Sequence, residues 1–259
     1  MFEPFHSNKI DLLSDWNFRQ YLRPSDRSDK YLKPATAILS GNIRSDWIDK
    51  YNRRLFSRKR LIKDIRAQHI LRWIYINFPE IPIVLLLRHP CAVANSKLKL
   101  GWDAHLQDFL VQDALMEDFL NPFKRLLQTA KNNFEKHILM WCVENYVPLK
   151  QFSEGEILIV FYEDICRNPK QEIQRILAFI GEEFSAAFNS GFSKPSAESR
   201  KESAIVSGSD LIGSWRESIS DDQTARSVEI LGVFGLREIY NESEFPLLTG
   251  SEVLKLFRH

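Results

Sequence analysis

"IPIVLLLRHPCAVANSKLKLGW", residues 81–102, decides how this chain is read. The first seven residues are apolar and the run ends in Arg88. A near-continuous apolar run is the pattern of a strand covered by helices on both faces, as in a parallel sheet. Pro90 follows two positions later, and its fixed φ suits the first turn of a helix. Arg88 is thereby placed at the carboxyl end of a strand, where open α/β sheets receive their ligands. Ser96 comes eight positions after Arg88, about two turns into the expected helix.

Two further apolar runs extend the scheme in both directions, "RLIKDI" (60–65) before this strand and "EILIVFYE" (156–163) after it. Between the first two, Ile65, Ile70, Leu71, Ile74, Tyr75 and Phe78 keep helical spacing, and Pro79 stops the helix. After the third run, Asn168 and Pro169 are an N-cap and first helical position; Ile173, Ile176, Leu177 and Ile180 make the buried stripe, closed by Gly181. Residues 110–152 are amphipathic and aromatic, with two helices expected on either side of Asn121-Pro122. Trp141 and Tyr146 in that segment line a pocket or fill core. Ser220 and Gln223 form a capping box ahead of Val228, Leu231 and Phe234, with Gly235 closing that helix. Strands alternating with helices give an α/β fold, a parallel sheet flanked by helices. Residues 1–58 are polar and turn-rich with no strong strand, and 185–215 read as one long Ser/Gly-rich loop, a length usually tied to function or disorder.

Composition excludes several classes. The 259 residues carry a net charge of +1, so no global field draws the protein to nucleic acid or to an anionic membrane. A local basic stretch runs over 50–63 and is either a solvated face or an anion-collecting rim. Cys91, Cys142 and Cys166 are too scattered for a disulfide framework or a zinc site, and the histidines lack metal-ligand spacing. Cys91, one residue past Pro90, is an activated thiol at a helix start or a small buried residue. No apolar run approaches the roughly 18 residues needed to cross a bilayer, and the N-terminus is no signal peptide. A reduced, cytoplasmic protein without a transmembrane segment is the expectation.

An arginine fork, a hydroxyl and a helix N-terminus together suit a phosphate dianion. The alternative is an arginine capping the sheet edge beside an ordinary helical serine. Geometry alone weighs the two evenly.

The residues also carry a family resemblance. "LLLRHPCAVANSKLKLGW" resembles the 3′-phosphate-binding segment of sulfotransferases that use 3′-phosphoadenosine 5′-phosphosulfate (PAPS), with R-x-P-x-x-x-x-x-S matched at Arg88, Pro90 and Ser96. "RLIKDIRAQHILRW", "IVFYEDICRNPKQEIQRILAFIG" and "SRKESAIVSGSDLIGSWRESIS" are similar to the segments that precede and follow it. The four occur in family order over about 60–240 of what the resemblance implies is a single domain, 1–259, with a P-loop-like fold.

The implied reaction is in-line transfer of a sulfuryl group from PAPS, as co-substrate and without a metal, to a hydroxyl or amine of a small-molecule or carbohydrate acceptor. By the resemblance Arg88 and Ser96 hold the 3′-phosphate, and Arg200 or Lys201 adds a cation to it. Trp215 covers the adenine or anchors packing, and Tyr162 touches the nucleotide or fills core. Glu3 is the implied general base with His6 next in line. Lys63 faces acceptor or cofactor, or makes a strand-end salt bridge. The family's Gly/Ser/Thr-rich 5′-phosphosulfate loop has no counterpart, while "MFEPFH" resembles the stretch shortly after that loop's helix. A missing first strand and phosphate loop are therefore expected, leaving an open sheet edge, a possible homodimer and doubtful activity. The competing readings are a non-catalytic nucleotide-binding or interaction protein derived from the family, and a small-molecule kinase, the latter disfavoured because G-x-x-x-x-G-K-[ST] is absent.

Overall fold

The computed structural model describes residues 1–52, 59–184 and 210–257. The chain forms two compact units, Met1–Pro79 with Gln107–Lys124, and Glu80–Leu106 with Arg125–His259.

The first unit is mostly helical and irregular. Helix α1 (Asp29–Leu39) carries Pro34 inside it, which removes the N–H that would bond the carbonyl of Lys30. That carbonyl instead accepts from the Trp16 indole at 3.4 Å. Helix α2 (Leu71–Asn77) follows a 3-10 turn at Gln68–Ile70 and ends at Phe78, just before the expected proline stop. Leu13, Ile38, Ile48, Ile70, Trp73, Phe109, Leu115 and Leu120 form the core. The returning segment 107–124 is tied in by Gln112, which accepts from the Tyr21 amide (2.8 Å), and by Asp118, which accepts from the Tyr21 hydroxyl (2.8 Å).

The expected strand 60–65 is not a strand. Lys63 makes a single parallel bridge to Phe2, with the Glu3 amide donating to the Lys63 carbonyl at 2.7 Å. Asp64 ends the extended run because its carboxylate accepts the backbone N–H of Phe5 (2.8 Å) and of Arg66 (2.7 Å), a local turn that competes with the ladder.

The second unit holds the sheet. Strand β1 (Val84–Leu87) pairs in parallel with β2 (Leu158–Phe161), in register from Val84–Leu158 to Leu87–Phe161. Helix α3 (Pro90–Lys99) leaves β1 directly and packs on α4 (Asn133–Gln151), which is buried along most of its length. Strand β2 turns at once into α5 (Tyr162–Arg167), so the run "EILIVFYE" yields a shorter strand than its apolarity predicts. Helix α6 (Pro169–Phe179) has the expected proline start, and Gly181 follows at φ 71°. Helix α7 (Asp221–Val233) has both capping-box bonds, Gln223 amide to Ser220 Oγ (3.2 Å) and Ser220 amide to Gln223 Oε1 (3.0 Å). Helix α8 (Gly250–Leu256), not legible beforehand, carries a second box between Thr249 and Glu252. The break expected near Asn121-Pro122 is a 3-10 turn, Asn121–Phe123, and the long helix begins only at Asn133.

The sheet-and-helix architecture bears out the α/β reading with a smaller sheet than expected. Among the described residues β1 pairs with β2 alone. One face of β1 is less covered than the matching face of β2: Leu86 is 54% exposed although its register partner Val160 is fully buried.

Candidate functional site

Arg88 stands at the carboxyl end of β1, and its backbone is anchored by the Trp141 indole, which donates to the Arg88 carbonyl at 3.0 Å. Trp141 is buried, which answers the choice between pocket and core for that residue. The guanidinium lies 4.2 Å from the centroid of the Tyr162 ring, a cation–π stack at the start of α5. One terminal nitrogen donates to the carbonyl of Leu211 at 3.3 Å, a long bond. Among the described residues the buried Nε–H has no hydrogen-bond partner, and the Trp215 indole N–H is a second buried donor of the same kind. Buried donors without acceptors cost free energy, about 1–3 kcal/mol each, unless something anionic or polar completes them. The donor set therefore fits a phosphate.

Next to Arg88, His89 caps α3. Its Nδ1 accepts from the Cys91 amide at 3.3 Å and its Nε2 faces the Asn241 carbonyl at 3.1 Å. One first-turn N–H of α3, that of Cys91, is thus taken by the helix's own cap. The imidazole stacks on Trp215, centroids 4.5 Å apart and planes 10° from parallel. Burial holds its pKa down at about 4, with Arg216 and Arg88 pushing the same way. The His89 amide donates to Glu163 (2.8 Å), whose other oxygen accepts from the Tyr240 hydroxyl (2.8 Å). Burial raises the Glu163 carboxyl. The cluster Arg88, His89, Glu163, Trp215 and Tyr240 forms the wall beyond the strand ends. Sequence reasoning missed His89, Glu163 and Tyr240, because no local spacing links them.

The first unit carries a separate polar cluster. Glu3 is 4% exposed and sits at φ 40°, a strained value for a residue with a side chain. Its carboxylate is paired with Arg66 and, at 3.2 Å, with Lys63. The Lys63 salt bridge is therefore present, though Lys63 is not at a strand end. His6 is buried, its Nδ1 has no hydrogen-bond partner among the described residues, and its pKa is held at about 4 by burial, with Arg66 adding to the effect.

A model of the sulfotransferase family matches residues 6–186. This chain belongs to the sulfotransferase family. No individual curated protein matches it. The match spans Arg88, Ser96 and Tyr162, and membership makes the chain a transferase in class, with sulfuryl transfer the family's chemistry.

The second unit brings Arg88 and Tyr162 into direct contact, and Trp215 into the same wall through His89. Trp215 is 2% exposed, and besides its stack on His89 it carries the Arg216 guanidinium 4.6 Å from its centroid. Ser96 is exposed on α3. Arg200 and Lys201, like Arg53, Arg54 and Arg58 of the basic stretch, lie outside the described residues. Cys91 is a small buried residue, its thiol pushed up to about 11 by burial. Among the described residues no helix is long and apolar enough to cross a membrane.

Proposed function

We propose that this protein transfers a sulfuryl group from PAPS to a hydroxyl or amine acceptor, with Arg88 and Ser96 holding the 3′-phosphate. The observation that carries this is the Arg88 guanidinium, at the end of β1 with a buried Nε–H that has no partner among the described residues. A phosphate oxygen there supplies the missing acceptor and replaces the long bond to Leu211. PAPS, when bound, brings the activated sulfuryl group; the protein's part is positioning and charge neutralisation. Tyr162 holds the guanidinium flat from below, so the arginine is oriented before the nucleotide arrives.

Removal of the acceptor's proton is assigned to Glu3, whose carboxylate is oriented by Arg66 and Lys63, with His6 as the second proton acceptor. His6 is neutral at physiological pH, since its pKa is held at about 4. Trp215 acts through His89, keeping the strand-end wall rigid.

Calorimetric titration with 3′-phosphoadenosine 5′-phosphate tests the reading. The wild type binds it more tightly than adenosine 5′-monophosphate. Arg88→Ala loses about 1.5–3 kcal/mol, the range for a hydrogen bond to a charged group, or roughly 10- to 150-fold in Kd. Equal affinity in wild type and variant, or no preference for the 3′-phosphorylated nucleotide, overturns it.

A further inference from the structure

The peptide group between Arg88 and His89 is held at both ends. Its carbonyl accepts from the Trp141 indole at 3.0 Å, and its N–H donates to Glu163 at 2.8 Å. A planar peptide fastened at C=O and N–H cannot turn without breaking both bonds. The direction in which the Arg88 side chain leaves the backbone is thereby fixed.

Glu163 is 1% exposed, and its second oxygen accepts from the Tyr240 hydroxyl at 2.8 Å. A donor on each oxygen suits an ionised carboxylate. Burial raises the Glu163 carboxyl, and the Arg88 charge is close enough to oppose that rise. Glu163 also follows Tyr162, whose ring lies against the guanidinium. A buried carboxylate and a neighbouring guanidinium are natural partners, and here they stay apart. Among the described residues Arg88 makes only its long bond to the Leu211 carbonyl and keeps its Nε–H unpartnered.

Tyr240 accounts for the separation. Its ring is fully buried against His89 (centroids 5.1 Å), Phe161 (5.8 Å) and Trp141 (6.0 Å), which holds the hydroxyl on Glu163. Burial keeps that hydroxyl protonated well above its ordinary range, so it remains a donor. Tyr240 lies outside residues 6–186, the span that the family model matches.

Resting on the reading above, we propose that Tyr240 is a positioning residue for the 3′-phosphate: its hydroxyl saturates Glu163, which keeps the carboxylate on the His89 amide and leaves the Arg88 guanidinium to the nucleotide. Without the hydroxyl, one Glu163 oxygen is a buried acceptor lacking its donor, a costly state. The carboxylate then turns to the open Nε–H of Arg88, and the phosphate must displace an ion pair in order to bind.

The test is a double-mutant cycle read by calorimetry, with 3′-phosphoadenosine 5′-phosphate and adenosine 5′-monophosphate as probes. Tyr240→Phe keeps the ring and its packing and removes only the hydroxyl. It weakens the 3′-phosphorylated nucleotide by about tenfold, the low end for a hydrogen bond to a charged group, and changes adenosine 5′-monophosphate by less than about twofold. In a Glu163→Gln background, where a neutral amide cannot capture the arginine, Tyr240→Phe costs less than about threefold. A tyrosine with a merely structural role weakens both nucleotides alike and costs the same in either background; either result overturns the proposal. Circular dichroism melts check that each variant is folded at the titration temperature, and a Tyr240→Phe chain that does not fold assigns the hydroxyl to stability and overturns it too. Unchanged binding by Tyr240→Phe, with a wild type that prefers the 3′-phosphorylated nucleotide, overturns this role and keeps the transferase reading. A wild type without that preference refutes the transferase reading and this role together.

Discussion

His89 sits between the two residues that carry the motif, Arg88 and Pro90, and its ring is held on each side. The Cys91 amide fixes Nδ1 as an acceptor, so the Nε2 proton goes to the Asn241 carbonyl, and Trp215 covers one face. Protonation breaks the cap, because Nδ1 then carries a hydrogen that points at another N–H. The folded pKa of about 4 lies below the ordinary value of 6.5. The unfolded chain therefore binds this proton first, and stability falls as pH drops from 6.5 toward 4, levelling off below. The full shift corresponds to about 3 kcal/mol. Glu163 opposes it, since its raised folded pKa favours the folded state on acidification. His6 contributes with the same sign as His89. The comparison that isolates His89 is the fall in thermal midpoint between pH 6.5 and pH 4 in wild type against His89→Gln. The variant is less stable at pH 7 and its midpoint changes less with pH; parallel curves would show that the ring carries no buried proton cost.

At the scale of elements, the helix-start and helix-stop residues were legible where the signal is local. Pro90, Pro169, the Ser220–Gln223 box and the glycines at 181 and 235 all act within one turn, and the structure places each as read. Helix α1 lies in the stretch 1–58 read as polar and turn-rich; it carries Pro34 inside it, and Trp16 satisfies the orphaned carbonyl from outside the helix. The strand at 60–65 failed for the converse reason. Its residues have strand propensity, but Asp64 offers its carboxylate to two amides and turns the chain. Helix α8 depends on a close approach to β2. A Cβ on Gly250 would lie 2.7 Å from the Ile159 carbonyl oxygen and 2.8 Å from its Cβ. The backbone and Cβ of Ile159, fixed in β2, cannot yield, so Gly250→Ala pushes α8 off the strand. Overpacking of this kind costs about 1–3 kcal/mol, against the gain in helix propensity that alanine normally gives. Denaturant unfolding should show the loss; a more stable Gly250→Ala protein would show that α8 slides freely.

At the scale of the whole molecule, the sheet edge has a consequence for association. Leu86 is 54% exposed and Leu85 is 6% exposed, neighbours on opposite faces of one strand. An apolar face beside a strand edge is a template for another strand. Sedimentation of the wild type is expected to show self-association. Leu86→Lys reduces it and leaves the thermal midpoint nearly unchanged, whereas Leu85→Lys buries a charge and unfolds the protein. A monomeric wild type indistinguishable from Leu86→Lys would show that this face is covered in solution.

The sequence by itself determined a strand within 81–88 with its terminal arginine, the proline-started helix after it, the parallel partner strand and the family resemblance. These follow from hydrophobic runs and from capping residues that act over a few positions. Only the tertiary structure decided that segment 107–124 returns to the first unit, that Glu3 is clasped by Arg66 and Lys63, and that His89 is walled in by Trp215, Glu163 and Asn241. Those partners are separated by tens of residues or more, up to 152 between His89 and Asn241. Their pairing is fixed by which buried donors and acceptors must be satisfied once the core has closed, a condition that local spacing does not encode.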